Sequence, residues 1–243
     1  PFVLDDARAA AAGQALRLLH LVAGVSYYKA AVPTDIRIEG YEIDADTAAF
    51  LETVYLKGLG EFAYRNGLDL RGRIRFPAGA EAHAPAPALG LREHALVAIG
   101  GGKDSLVSIE ALRALGIDQT VAWIGSSPLI RACAERTGLP TLAIGRQLAP
   151  GLFALNRRGA LNGHIPVTAV NSAILAVAAL LRGAGQVVFS NERSASYGSL
   201  IPGTGEVNHQ WSKGWDFERE FAAYLRAHVA ADLAYYSLLR PYS

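Results

Sequence analysis

Three consecutive glycines, Gly100, Gly101 and Gly102, followed by Lys103, Asp104 and Ser105, separate an apolar run from a helix-like pattern that closes at Gly116. Without Cβ atoms, glycine N–H groups can touch an oxyanion directly. Ser105 can donate a further hydrogen bond, Lys103 adds a point charge, and a helix starting here presents its positive dipole end. Phosphate is the ligand such a backbone suits. A turn that merely joins strand to helix has the same composition, so the loop must be weighed with its context. Two polar blocks follow, Arg157-Arg-Gly-Ala-Leu-Asn-Gly-His-Ile-Pro-Val-Thr168 and Ser190-Asn-Glu-Arg-Ser-Ala-Ser196. A third, Glu206-Val-Asn-His-Gln-Trp-Ser-Lys213, puts a carboxylate, an imidazole, an amide and an amine within eight residues. Proton transfer at carbon needs such groups around one atom. Each also has a structural reading. His164, just ahead of Ile165-Pro166 at a helix start, fits capping or packing; Glu192 fits a first-turn acid; Glu206 and His209, three apart, fit a surface pair.

For these groups to meet, the elements must deliver them to one edge. After residue 90 the sequence repeats a short apolar run, a loop and a helix: 95–99 then 105–115, 121–124 then 128–137, 141–144 then 165–182, and 186–189. That alternation implies parallel strands joined by right-handed crossovers, an α/β, Rossmann-like sheet with helices on both faces. Ligands then bind beyond the carboxyl ends of the strands, where the glycine loop and both later blocks fall. Gly116 and Gly138 follow helical stretches where a left-handed cap is wanted. Residues 216–239 carry Phe217, Phe221, Tyr224, Leu225, Leu233 and Tyr236 at helical spacing. Upstream, residues 6–22 and 47–66 read as helices and Thr34-Asp-Ile-Arg-Ile-Glu39 alternates like a half-buried strand. Residues 1–77 therefore form a smaller, mainly α, α+β region. Residues 78–90, with Pro85 and Pro87 among alanines, read as a linker, and 91–243 as the catalytic domain.

Lys and Arg number 23 against 22 Asp and Glu, so no excess positive field attracts nucleic acid or an anionic membrane. The single cysteine, Cys133, read as a buried helix residue, excludes an internal disulfide and fits a reducing compartment. The apolar stretch 165–181 is interrupted by polar residues and falls short of the roughly 20 residues that span a bilayer. No signal-peptide pattern opens the sequence. The start at Pro1 and the absence of methionine point to a fragment of a longer chain.

The loop is neither a Walker A motif nor a dinucleotide fingerprint, because Asp104 follows Lys103 and the third fingerprint glycine is missing. Gly-Gly-Gly-Lys-Asp-Ser resembles the pyrophosphate-binding loop of the ATP pyrophosphatase superfamily, Ser-Gly-Gly-x-Asp-Ser after the first strand. Gly101, Gly102, Asp104 and Ser105 match that pattern; Gly100 replaces its first serine and leaves only a main-chain N–H there. Together with 162–168, 190–196, 206–213 and Leu21-Val-Ala-Gly-Val-Ser-Tyr-Tyr-Lys29, the sequence resembles the MurL family of ATP-dependent UDP-N-acetylmuramoyl-L-alanyl-L-glutamate epimerases.

The resemblance implies an adenine nucleotide alpha hydrolase-like fold and a cytoplasmic enzyme of peptidoglycan precursor synthesis, with ATP and Mg2+ as cofactors. Its small-molecule substrate would be a UDP-muramoyl dipeptide, with no nucleic acid or membrane partner. The terminal L-glutamate would be adenylated on its α-carboxylate with loss of pyrophosphate, then epimerised and hydrolysed to the D-glutamyl product. By the same resemblance Gly100 to Ser105, Asn191 and Glu192 would surround the nucleotide, with Asp104 and Glu192 on magnesium. His209 and Glu206 would move the α-proton, with His164 in reserve. Lys213 or Arg193 would meet substrate charge, and Ser26, Tyr27, Tyr28 and Lys29 the uridine-diphospho-sugar end. Family chains run on into a cysteine-bearing tail that this sequence lacks. Two other readings stay open: another ATP pyrophosphatase, such as an amide ligase or a tRNA-modifying enzyme, and a non-catalytic adenine-nucleotide-binding module.

Overall fold

The structure, a computed structural model, describes residues 4–80, 84–201 and 205–242, the side chains of 199–201 and 205–206 excepted. In chain order α1 (Asp6–Ala23), α2 (Val25–Ala31), α3 (Ala45–Gly58) and α4 (Gly60–Arg65) precede the sheet. There follow β1 (Arg92–Ala98), α5 (Lys103–Ala114), β2 (Asp118–Ile124), α6 (Pro128–Arg136), β3 (Thr141–Ile144), α7 (Pro150–Arg157), α8 (Val167–Arg182) and β4 (Ala184–Phe189). A short antiparallel pair, β5 (Ser199–Ile201) and β6 (Gly205–Val207), then α9 (Trp215–His228) and β7 (Ala234–Ser237) complete the chain.

The five main strands are all parallel, in the order β3-β2-β1-β4-β7. This is the expected α/β layout. Strand periodicity sorts the two cores: Ala95, Val97, Val121 and Trp123 face Ile109, Leu112 and Ala134 of α5 and α6, while Leu96, Ala122 and Val187 face α8 and α9. Strands covered on both faces have to be apolar throughout, which is why they read as unbroken runs. Gly116 and Gly138 adopt the left-handed conformation, at φ 70° and 69°.

α1 lies along α8, and Ala11, Ala15, Leu18 and Val22 join the same core as Val177 and Leu180. By length and composition alone Asp6–Ala31 is apolar enough to cross a membrane; here those side chains pack as a core helix does. One continuous core thus includes residues on both sides of segment 78–90. Of that segment, residues 81–83 lie outside the described residues. The rest is pinned down: the N–H groups of Leu89 and Leu91 donate to the Asp232 carboxylate, and Ala86 N–H to the Ala227 carbonyl.

Several boundaries differ from expectation. Thr34–Glu39 is not a strand: Ile36 and Ile38 do turn toward the core, but no strand lies beside this segment among the described residues. The helix expected over 47–66 breaks at Leu59, whose φ of −100° and ψ of 14° end α3 and re-aim α4. The helix expected to reach residue 239 stops at His228; Leu233 is buried after a turn, and Tyr235 and Tyr236 lie in β7, paired with β4. Cys133 sits on α6 but only half-buried. α7 was hidden in a stretch that reads as a loop.

Candidate functional site

In the order β3-β2-β1-β4-β7 the connections reverse direction between β1 and β4, and that switch opens a crevice at the strands' carboxyl ends. A cavity of about 390 Å³ lies there. It is lined by Gly100, Gly102, Asp104 and Ser105 after β1, by Ala122 to Ile124 of β2, by Ser190 and Asn191 after β4, by Thr168 and Asn171 of α8, and by Lys213. Gly101 supplies the left-handed residue of the turn, φ 81°. Gly102 caps α5 without any side-chain hydrogen bond, so the first amides of that helix stay open to an anion. Ser105 is buried and donates to the Gly102 carbonyl at 3.0 Å, which stiffens the turn. Lys103 is exposed and does not line the cavity.

Two lining residues escape sequence reasoning. The Trp123 indole nitrogen and the Asn171 side-chain oxygen are buried with no protein hydrogen-bond partner. A buried donor and a buried acceptor without protein partners are costly, and the two residues that carry them both border the cavity. Asn191 is held by its amide nitrogen, which donates to Ser237 Oγ at 3.2 Å, and Ser190 donates to Ser108 Oγ at 2.8 Å. Glu192 follows these residues but does not itself line the cavity. Among the described residues no three His, Cys, Asp or Glu side chains cluster as a metal site. Magnesium asks for less, one or two carboxylates with phosphate and water completing the shell, and Asp104 meets that requirement.

The two histidines meet, although neither lines the cavity. The His164 and His209 rings stand edge to face, centroids 5.2 Å apart and planes at 81°. The carboxylate facing His209 comes from the amino-terminal region: Glu61 Oε2 is 3.7 Å from His209 Nδ1, while its Oε1 accepts from Arg65 Nε at 2.6 Å. Glu206 has its backbone in β6, and its side chain lies outside the described ones. Burial, then the neighbouring His209, pushes the His164 pKa below its ordinary value, while Glu61 acts the other way. Lys213 is near enough to add to the lowering, which links this pair to the cavity that Lys213 lines.

Tyr27, Tyr28 and Lys29 do not share a site, because neighbouring positions on a helix point about 100° apart. Tyr27 borders a separate apolar groove and Tyr28 packs on Tyr55. Lys29 is buried, its pKa lowered by desolvation, and its ammonium donates to Asn162 Oδ1 at 2.5 Å and to the Gly163 carbonyl at 3.1 Å. It thereby fixes the turn that carries His164. Arg193 starts a short 3-10 turn, and its N–H donates to the Tyr242 carbonyl.

Comparison with known proteins follows the same direction. A family model described as the MurL N-terminal domain matches residues 1–238. A protein of Xanthomonas oryzae pv. oryzae is 75% identical over 243 residues, covering 100% of this chain and 54% of its own length. Relatives from Salinispora tropica and a Micromonospora species are 45% and 46% identical over 98% of the chain, which covers 52% and 54% of them. All three are named UDP-N-acetyl-alpha-D-muramoyl-L-alanyl-L-glutamate epimerase. The chain thus spans about half the length of these curated relatives.

Proposed function

We propose, for a chain that belongs to the MurL N-terminal domain family, that it carries the ATP-splitting and proton-transfer groups of an epimerase acting on the terminal L-glutamate of a UDP-muramoyl dipeptide. The observation that carries this is a cavity at the carboxyl ends of the strands, lined by the glycine loop, Asp104 and Lys213, together with a half-buried histidine in edge-to-face contact with a second one.

A carboxylate holds its α-proton tightly because the carbanion would set a second negative charge beside the first. Conversion of the α-carboxylate to an acyl-adenylate, with pyrophosphate as leaving group, makes the carbonyl neutral and able to spread the charge, so the α-carbon becomes acidic. The open amides of Gly102 and the first turn of α5 receive the phosphates, and Asp104 is the residue that would hold magnesium. Magnesium, when bound, neutralises phosphate charge. Lys213 faces the carboxylate end from across the cavity. His164 takes the α-proton, and His209, backed by Glu61, shares it. Rings in edge-to-face contact at 5.2 Å leave no room for a carbon between them, so both serve one face of the substrate. The opposite face needs another group, and Lys213 is the candidate that lines the cavity. Hydrolysis of the inverted acyl-adenylate then releases AMP. This places the reaction in precursor synthesis for peptidoglycan, on a soluble nucleotide-linked substrate.

Incubation with ATP, Mg2+ and the UDP-muramoyl dipeptide, assayed for AMP and for D-glutamate in the product, tests the reading. AMP that forms only when an amine is added would show an amide ligase. Nucleotide binding with no AMP under any substrate would show a binding module. Asp104→Ala is expected to abolish AMP release, and a wild-type rate in that variant removes the glycine loop from the mechanism.

A further inference from the structure

The last residues of the described chain hold a buried ion pair whose atoms are nearly all engaged. Glu218 on α9 is 5% exposed. Its Oε2 accepts from Arg240 Nη2 at 2.6 Å and Nε at 3.1 Å, and its Oε1 accepts from the Ser237 N–H at 3.0 Å. The same guanidinium reaches two other segments: Nη2 donates to the Lys213 carbonyl at 2.7 Å and Nη1 to the Glu192 carbonyl at 3.2 Å. A buried pair of charges seldom stabilises a fold more than apolar residues of the same volume would. Its distinctive property is direction, because a guanidinium presents its donors as a rigid planar fork.

The two carbonyls belong to the two segments that close the cavity from the β4 side. Segment 190–196 contributes Ser190 and Asn191 to the lining, and segment 211–213 contributes Lys213. We propose that Arg240 is a positioning residue for the nucleotide cavity: held in plane by Glu218, its fork sets the spacing between these segments and so the placement of Asn191 and Lys213. The turn after β7 adds parallel ties, from Asn191 Nδ2 to Ser237 Oγ at 3.2 Å and from the Arg193 N–H to the Tyr242 carbonyl at 2.9 Å. Sequence gives little sign of this, since Arg240 stands some thirty residues beyond the last polar block, just past the stretch 216–239 that reads as helix. The role in catalysis rests on the nucleotide reading above, whereas the ordering of the two segments does not.

Two variants test it. Arg240→Lys keeps the charge beside Glu218 but not the fork. Glu218→Gln combined with Arg240→Met removes both charges and leaves none buried alone. Amide hydrogen exchange without nucleotide is expected to accelerate about tenfold at 190–196 and 211–214 in both variants, the loss of one or two charge-assisted hydrogen bonds, with β1 and β2 unchanged. Calorimetric titration with MgATP is expected to show about tenfold weaker binding. A folded Arg240→Lys protein with wild-type exchange in both segments overturns the proposal. Acceleration spread evenly over the sheet also overturns it, since that marks a plain stability effect. If the unaltered protein binds no MgATP, the nucleotide reading fails while the exchange measurement still decides the role of Arg240.

Discussion

Alanine at Gly101 and at Gly102 is expected to produce opposite phenotypes one residue apart. Gly101 has φ +81°, and a Cβ there would sit 3.4 Å from Ile130 Cγ1, an ordinary contact. The cost is therefore conformational, about 1–2 kcal/mol for an L-residue in the left-handed region. For a chain of this size roughly 2–4 °C of melting temperature goes with each kcal/mol, so Gly101→Ala melts about 2–8 °C lower. Gly102 has φ −94° and ψ 170°, which any residue adopts, and a Cβ there meets nothing within 4 Å. Alanine gains about 0.4–1 kcal/mol through the unfolded chain but gives up glycine's preference at a helix N-cap, so the free protein should keep nearly the parent's stability. Yet Gly102 lines the cavity, and its methyl group would enter the space where a phosphate oxygen meets the backbone. Loss of a charge-assisted hydrogen bond there is about 1.5–3 kcal/mol, roughly 10- to 150-fold in affinity. Melting curves with and without MgATP, together with calorimetric titration, read both effects. A Gly102→Ala protein that binds MgATP as tightly as the parent would refute the idea that bare backbone cradles phosphate here.

Gly58→Ala would put a Cβ 2.6 Å from Pro166 Cβ and Cγ, and both neighbours are backbone-fixed; urea denaturation is expected to show a loss of about 1–3 kcal/mol or more. His164 and His94 both have folded pKa values below the ordinary 6.5, from burial first and then from His209 and Arg92 respectively. The unfolded chain thus binds protons first, the stability they contribute is complete above about pH 6.5 and is lost as pH falls toward the folded values. The His94→Gln, His164→Gln double variant should show a flatter loss of stability between about pH 7 and pH 5 in urea titrations. Glu61→Gln removes a charge that raises the His164 pKa, so an NMR titration should place the His164 midpoint lower still; an unchanged or higher midpoint would detach Glu61 from the pair.

The parallel sheet was legible because doubly covered strands must be apolar throughout and because Gly116 and Gly138 mark left-handed helix ends. Local pattern failed where pairing decides. Thr34–Glu39 alternates correctly but has no neighbouring strand among the described residues, and Tyr236 matches a helical stripe yet pairs with Val188 of β4. In the site, residues adjacent in sequence were readable, as with the loop 100–105. Groups brought together by folding were not. Glu61 falls within the stretch 47–66 that reads as one helix, and the break at Leu59 re-aims the short helix that carries it toward His209. Trp123 and Asn171 read as core, since no sequence shows that a buried polar atom lacks a partner. Tyr27, Tyr28 and Lys29 are consecutive in sequence, but the helical period sends their side chains to different surroundings.

The two parts of the site rest on different packing. The cavity that follows β1 and β4 is built almost wholly within the sheet's edge and the helices that follow it. The His164–His209 pair depends on contacts between the amino-terminal helices and the later loops. Lys29 and Asn66 bond the Asn162–Gly163 turn, Gly163 lies against Phe62, Gly58 against Pro166, and Glu61 faces His209. A change that loosens α3 and α4 from the sheet would then misplace His164 and His209 while leaving Gly100 to Ser105, Trp123 and Asn191 in position. Nucleotide binding and proton transfer should fail separately. The amino-terminal region thus supports the segment that holds the His164–His209 pair, and the small residues at its contacts with the later loops, Gly58 and Gly163, are the positions where a single added methyl group would pull the two apart.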